Sequence, residues 1–380
     1  MIIRSIQDLI ENRLHTGKAI VLLGARQVGK TTILRQLIKG KESETLWLNG
    51  DETDVQLLFE NASVERFKSV FGKCKYVVID EAQRIADVGL RLKLITDGIP
   101  DVQLLVSGSS SFDISNALNE PLTGRKWEFQ LFPISFGEMV NHTQILTETR
   151  ILPHRLVFGY YPDVVNHLGD EFEVLNQLVD SFLYKDILML EQLKKSDAVV
   201  KLLKALAFQV GSQVSYNELG QLCGLNSRTV EKYIHILEKT FVIFRVGSFS
   251  RNLRNELKKS HKIYFYDLGV RNALVNNFSI IEKRSDQGQL WENFIIAERI
   301  KFLNYTRRRV NFWFWRTSDQ VELDWVEEEN GELRGFEFKY GVTSKAKIPK
   351  AFTSNYPDAI TKIITPQNMH EFIYDSNITK

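Results

Sequence analysis

Between Gly24 and Thr31 the chain reads Gly-Ala-Arg-Gln-Val-Gly-Lys-Thr, which fits the spacing G-x-x-x-x-G-K-[ST]. Two glycines let the backbone turn so that successive N–H groups converge on phosphate oxygens. The helix that follows adds the positive end of its dipole. In that chemistry Lys30 reaches the β- and γ-phosphates and the Thr31 hydroxyl ligates Mg²⁺. Gly24, Ala25, Arg26, Gln27, Val28, Gly29, Lys30, Thr31 and Thr32 are the expected nucleotide cradle. The alternative is a glycine turn before an ordinary helix, and the flanks argue against it. Ala19 to Leu23 is an apolar run of strand length, and Ile33, Leu34, Leu37 and Ile38 recur at helical spacing.

The next chemistry-bearing residues end a second apolar run, Tyr76-Val77-Val78-Ile79-Asp80-Glu81. Asp80, at the C-terminal end of such a strand, can hold Mg²⁺ through water, and Glu81 can orient or polarise the attacking water. A third set lies near the C-terminus. Leu290 to Phe294 opens an amphipathic helix carrying Glu292, and strands are expected over Val310–Arg316, Val321–Val326 and Arg334–Tyr340. Asp324 stands on the second strand and Glu337 and Lys339 on the third, across an acidic turn from Glu327 to Gly331. Alternation sets Glu337 and Lys339 on one face and Phe336 and Phe338 on the other. An E-x-K on a strand is often only a solvated face. Joined to Asp324 and a helical glutamate, it resembles the restriction-endonuclease-like fold. That resemblance implies Mg²⁺ held by Glu292, Asp324 and Glu337, with Lys339 orienting or activating the attacking water.

Around these residues the expected elements follow from pattern. Ile6, Leu9, Ile10 and Leu14 make an opening helix; Thr45–Asn49 is a short strand, Asp54–Phe71 is largely helical, and Val102–Val106 is a strand ending in Ser107 to Ser111. The segments GARQVGKTT, YVVIDEAQRI, LLVSGSSS, LTGR and LFPISFGEM occur in order. Together they resemble the AAA-type ATPases of bacteria and archaea that carry a C-terminal nuclease-like domain. The resemblance implies ATP hydrolysis on a parallel sheet, with Ser107 as the residue that senses the γ-phosphate. It also implies Arg125 as an arginine finger, acting within the chain or on a neighbour; a turn of serines and a surface ion pair are the plainer readings.

Composition sets bounds. The chain has 380 residues, 43% hydrophobic and 25% charged, enough for two or three domains. A formal charge of +2 does not by itself argue for nucleic acid, so any such partner must meet a local basic patch. Two distant cysteines, Cys74 and Cys223, suit a reducing compartment, and His142, His154 and His167 show no ligand spacing with them. Charges interrupt the N-terminus too early for a signal peptide, and no apolar run approaches the roughly 18 residues that span a membrane. The expected location is the cytoplasm.

From Pro133 the chain reads as linker-like, then as helices over Ile151–Glu191 broken at Phe158-Gly159-Tyr160-Tyr161-Pro162, with a stripe of Leu178, Val179, Phe182, Leu183 and Leu190. Ser215 and Glu218 form a capping box for a helix Tyr216–Cys223 that stops at Gly224, and Asn226 or Ser227 starts a second, Ser227–Lys239. Leu219, Leu222, Leu225, Val230, Ile234 and Leu237 are expected to meet between the two. With strands over Phe241–Val246 and Lys262–Tyr266 this reads as a winged helix-turn-helix. Arg228, Thr229 and Lys232, with Arg251, Arg254, Lys258 and Lys259 in the wing loop, would contact DNA; packing against a partner is the other use of such a fold. Arg307-Arg308-Arg309 is a basic run that could hold a phosphate backbone or stand as a solvated loop. Trp313, Trp315 and Trp325 read as core.

The expected fold class is therefore α/β. It comprises a parallel-sheet P-loop (AAA-type) ATPase core over 1–140, a helical lid over 141–205, a winged helix-turn-helix over 206–280 and a restriction-endonuclease-like α/β domain over 281–380. The expected cofactors are ATP and Mg²⁺, and the expected function is ATP hydrolysis by a protein acting on DNA, with an ATP-gated Mg²⁺-dependent nuclease as one outcome. The alternative is a nucleotide-dependent switch on a partner protein or promoter, its nuclease-like domain inactive. A peptide-remodelling ring would need a pore-loop segment that the sequence does not display; oligomerisation is left open.

Overall fold

The computed structural model describes residues 1–109, 122–182, 196–249, 261–341 and 347–375. Ser110, Ser111, Leu183, Leu190, Arg251, Arg254, Lys258 and Lys259 fall outside the described residues. The chain divides into two compact units, one built from residues 3–133 and 239–241 and the other from 134–238 and 242–380, with Met1 in the first and Ile2 in the second.

In the first unit, helix α1 (Ile6–Glu11) precedes strand β1 (Ala19–Gly24) and helix α2 (Lys30–Leu37). Next come β2 (Thr45–Asn49), α3 (Thr53–Glu60), α4 (Val64–Phe71), β3 (Tyr76–Asp80), α5 (Val88–Gly98), β4 (Gln103–Gly108) and β5 (Lys126–Leu131). The strands form one parallel sheet in the order β2-β3-β4-β1-β5. Every residue of β1, β3 and β4 is buried, as expected for strands covered on both faces, whereas β2 and β5 are partly exposed at the edges. Val21, Leu22, Val77, Val78, Leu105 and Val106 are wholly inaccessible, and each such side chain contributes about 1.5–3 kcal/mol of hydrophobic stabilisation. The stretch Asp54–Phe71 is largely helical, as expected, in two helices, α4 beginning afresh where Ser63 accepts a hydrogen bond from the Arg66 N–H.

The second unit starts with helices α6 (Phe136–Thr143), α7 (Ile145–Arg150), α8 (Leu152–Phe158), α9 (Pro162–Asn166), α10 (Glu171–Phe182) and α11 (Ser196–Phe208). The expected linker after Pro133 is thus helical at once. Ser135 and Glu138 close a capping box at the start of α6, satisfying two backbone donors reciprocally. Then follow β6 (Gln213–Val214), α12 (Tyr216–Cys223), α13 (Ser227–Lys239), β7 (Ile243–Gly247), β8 (His261–Phe265) and α14 (Leu268–Leu274). The three strands make an antiparallel sheet, β6-β8-β7. Asn226 starts α13 by accepting from the Thr229 N–H at 2.8 Å and hydroxyl at 3.0 Å. Leu219, Val230, Ile234 and Leu237 are buried as expected, but Leu222 is 62% exposed, and Cys223 turns inward instead.

The chain ends with the long helix α15 (Gln287–Tyr305), β9 (Asn311–Arg316), β10 (Glu322–Glu329), β11 (Glu332–Phe338), α16 (Lys350–Asn355), β12 (Ile360–Ile364) and α17 (His370–Ile373). The sheet order is β12-β11-β10-β9, with β12 parallel to β11 and the other pairs antiparallel. The expected acidic turn shrinks to Asn330-Gly331, both at positive φ, as a two-residue hairpin requires. Glu327 is strand residue and 1% exposed; Arg299 grips it twice at 2.7 Å, and Trp325 Nε1 donates to it at 2.8 Å. The register of β10 on β9 shifts by one residue between Leu323 and Val326, the stretch that holds Asp324 and Trp325. Leu323 and Val326 consequently share one small core with Phe249, Trp315, Leu333 and Phe352, which strict alternation forbids.

Residues expected in the helical lid, Leu152, Leu156 and Val157 among them, share a core with later elements of the second unit. Phe136, Met139, Leu152, Leu156 and Val157 lie in one hydrophobic cluster with Phe244, Tyr264, Trp291, Phe294, Trp325 and Phe336. The helices of the lid segment, the three-strand sheet and the C-terminal sheet are therefore consolidated by a common interior.

Candidate functional site

The phosphate loop leaves the C-terminal end of β1. A Cβ on Gly24 would stand 2.2 Å from the Leu131 carbonyl oxygen, so only glycine lets β5 close against the start of the loop. Gly29, at φ +99°, turns the chain into α2. Ala25 and Val28 are buried, Arg26 and Thr31 half-buried, and Gln27 and Thr32 exposed. Lys30 is 5% exposed, and its Nζ donates to the carbonyls of Gly24 at 2.9 Å and Ala25 at 2.8 Å, which holds its charge over the loop.

Three elements meet at Asp80. Its carboxylate accepts from the Thr31 hydroxyl at 2.8 Å, from the Ser107 hydroxyl and from the Glu81 N–H at 3.2 Å. The sheet order explains this, because β4, carrying Ser107, lies between β1 and β3. Lys30, Thr31, Asp80, Glu81 and Ser107 are thus gathered at one sheet edge. Glu81 sits at φ 51°, a left-handed conformation that a glutamate adopts at a cost and that recurs at functional sites. Gln83 Nε2 donates to Glu81 at 2.5 Å and to the Ser109 hydroxyl at 3.0 Å, fixing the acid's direction.

The donor set fits a metal-bound polyphosphate: backbone N–H groups, an ammonium, a hydroxyl and two carboxylates on one edge. Sequence reading did not single out Gln83, although it lies two residues beyond Glu81. Nor did it single out Arg4, a buried residue whose Nη1 donates to the Val28 carbonyl at 2.7 Å and Nη2 to the Phe132 carbonyl at 2.6 Å. Neither of those contacts is local in sequence.

Arg125 is not brought to this site within the chain. Ala19 pairs with Lys126, so Arg125 precedes β5 at the N-terminal edge of the sheet, roughly 20 Å along β1 from the phosphate loop at about 3.3 Å per residue. There its Nε meets Asp97 at 2.6 Å.

In the second unit the expected carboxylates do converge. The register Trp325↔Phe336, carried one step further, sets Asp324 opposite Glu337, and Asp324 accepts from the Phe338 N–H at 2.7 Å. Burial, then the charges of Glu292 and Glu337, push the Asp324 carboxyl well above its ordinary range. Burial likewise raises Glu337, opposed by Lys339, whose Nζ lies 2.7 Å from Glu337 Oε1. Lys262, expected only as the first residue of a strand, also enters this cluster. This β8 side chain, 2% exposed, places its ammonium 3.0 Å from Glu292 and against Glu322. Tyr264, two residues along, donates to the same Glu292 oxygen at 2.6 Å.

These residues do not fit the expected Mg²⁺ in this arrangement. Glu292 Oε1 is already taken by a lysine and a tyrosine, and Glu337 Oε1 by a lysine. Among the described residues no group of three or more His, Cys, Asp or Glu side chains is arranged to hold a metal ion. The other basic residues divide. Arg228 and Lys232 are exposed on α13, Thr229 is occupied in capping, and Arg308 pairs with Glu329. Trp315 and Trp325 are core, as expected, with Trp313 partly buried. Among the described residues no helix is long and apolar enough to cross a membrane.

Residues 16–140 match the family model of an AAA domain. Residues 149–280 and 287–378 match two domains of unknown function, DUF8612 and DUF4143. An uncharacterized protein of Mycobacterium tuberculosis is 25% identical over 354 residues, 92% of this chain and 76% of its own length. An uncharacterized protein of Methanocaldococcus jannaschii is 20% identical over 377 residues, 92% of this chain and 81% of its own. Among solved structures, the Thermotoga maritima RuvB Holliday junction branch migration motor aligns over 63% of this chain and 86% of its own, at 16% identity and a TM-score of 0.30. A likeness that low decides nothing about this chain. The family match over 16–140, the parallel sheet and the phosphate loop support an AAA-type ATPase core that binds nucleotide.

Proposed function

We propose that this chain is an ATP-hydrolysing protein that acts on DNA through its second unit. The observation that carries the ATPase half is the meeting of Thr31, Asp80 and Ser107, with Glu81 directed by Gln83 beside them. The backbone of Gly24 to Thr32 and the Lys30 ammonium would bind the phosphates, and Thr31 and Asp80 would hold Mg²⁺. The bound metal would supply positive charge to the β- and γ-phosphate oxygens. Glu81 would orient the attacking water and take up its proton, and Ser107 would link Asp80 to the phosphate end of the site.

The DNA half rests on α12, α13 and the sheet β6-β8-β7, which we read as a winged helix-turn-helix, with Arg228 and Lys232 on the exposed face of its second helix. The four-strand sheet with α15 is read as a restriction-endonuclease-like fold whose carboxylate cluster does not cut. The way that Lys262 and Lys339 occupy the cluster favours this over a nuclease. The test is the salt dependence of affinity for duplex DNA with and without ATP. Phosphate contacts make log K fall steeply with log salt, and Arg228→Ala with Lys232→Ala should lessen the slope by about 2. Absence of DNA affinity at low salt would turn the reading to a nucleotide-dependent switch acting on a protein partner.

A further inference from the structure

We infer that Lys262 is the resident cation of the C-terminal carboxylate cluster and excludes a divalent metal from it. The cluster gathers Glu292, Glu322, Asp324 and Glu337, all in the segment that matches one family model, 287–378. Lys262 comes from the preceding segment, matched by another model over 149–280. It stands on β8, the central strand of its sheet, paired by backbone with Gln213 on one side and Val246 on the other. Alternation along β8 sends Lys262 and Tyr264 to the same face, and both meet Glu292 Oε1, at 3.0 Å and 2.6 Å. A lysine stem anchored in a central strand is not a surface side chain that has drifted into an acidic pocket.

The charge balance leads the same way. Lys262 meets Glu292 and Glu322, Arg316 lies 3.6 Å from Glu322, and Lys339 lies 2.7 Å from Glu337. Those three cations leave at most a single net negative charge on the four carboxylates. That is little to set against the dehydration of a divalent ion, which binds where carboxylates are free to replace its water. Among the described residues, Glu337 Oε2 is a buried oxygen without a hydrogen-bond partner, in a residue that is 9% exposed. Removing the Lys262 ammonium would therefore raise the net negative charge of the cluster and leave Glu292 Oε1 to Tyr264, so that a divalent ion could take the place of the lost cation. In this arrangement one segment closes the acidic site of the next, and the counter-charge doubles as the bond between them.

The inference concerns metal occupancy, not DNA, so its failure is read in a metal titration and the failure of the DNA reading in the salt slope. The test is Mn²⁺ binding to the nucleotide-free full chain, followed by electron paramagnetic resonance of free Mn²⁺. Wild type, Lys262→Met, Lys262→Met/Glu337→Gln and Glu337→Gln would be compared. Lys262→Met is expected to gain one site at least tenfold tighter than any in wild type, and the double variant to lose it. The idea is overturned if wild type itself binds a Mn²⁺ that Glu337→Gln abolishes, an outcome that needs no Lys262 variant to fold. It is overturned equally if folded Lys262→Met, judged by its circular dichroism, gains no site.

Discussion

Replacing Arg4 by Met should weaken nucleotide binding although Arg4 lies outside the Gly24–Thr32 cradle. The guanidinium fastens the buried Val28 carbonyl inside the phosphate loop to the Phe132 carbonyl just past β5, at 2.7 and 2.6 Å. Methionine keeps most of the apolar stem and removes both donors. Each carbonyl left without a partner costs about 1–3 kcal/mol, and relaxation toward water recovers part of that, so a net loss of about 3 kcal/mol is reasonable. If half of this is the cost of ordering the loop again when nucleotide binds, the ATP Kd rises about tenfold, at 1.4 kcal/mol per decade. The assay is titration with a fluorescent ATP analogue in Mg²⁺, with thermal unfolding alongside. Arg4→Lys, which keeps a charge and one reach, should fall between. A lowered Tm with an unchanged Kd would refute the reasoning, because Arg4 would then only support the fold.

Gly24→Ala should be severe: its Cβ would lie 2.2 Å from the Leu131 carbonyl oxygen, so β5 or the loop must shift. Thermal unfolding should show a loss of at least 1–3 kcal/mol, and ATP binding should fall with it. A pH effect is expected at Asp286, whose carboxyl burial would raise but Arg284 and Arg271 hold down at about 2, below its ordinary 3.8. A depressed acid contributes stability that is complete above pH 4 and is lost as pH falls toward 2. After allowance for solvent screening this is about 1–2 kcal/mol, and Asp286→Asn should flatten that part of the acid-unfolding curve.

What the sequence made legible was local. The phosphate loop is eight contiguous residues between a strand and a helix, and the structure sets it there with Asp80 and Glu81 at the end of β3, two strands away across β4. Glu292, Asp324, Glu337 and Lys339 were also readable, because a helix and a strand pair carry them. Their environment was not. Lys262 reaches Glu292 across thirty positions, and the register shift between Leu323 and Val326 breaks strict alternation on the strand that carries Asp324. Arg125 is kept from the site within its own chain for a topological reason, its action on a neighbour being left open: parallel pairing of Ala19 with Lys126 sends the residue before β5 to the far edge from the loop. The capping box at Ser135 and Glu138 was local and still passed over, since the preceding Pro133 suggested a linker. Glu327 looked like turn chemistry in a run of acids, yet a bidentate arginine one helix away makes it core.

The most direct test of the central claim is Mg²⁺-dependent ATP hydrolysis by the full chain with duplex DNA present and absent, comparing wild type with Lys30→Ala and Glu81→Gln. Wild type is expected to turn over ATP at a rate that DNA alters. Loss of nucleotide binding is expected in Lys30→Ala, and retained binding with at least a hundredfold slower hydrolysis in Glu81→Gln. Wild-type protein that binds no ATP, or a Glu81→Gln variant that hydrolyses it at the wild-type rate, would contradict the account.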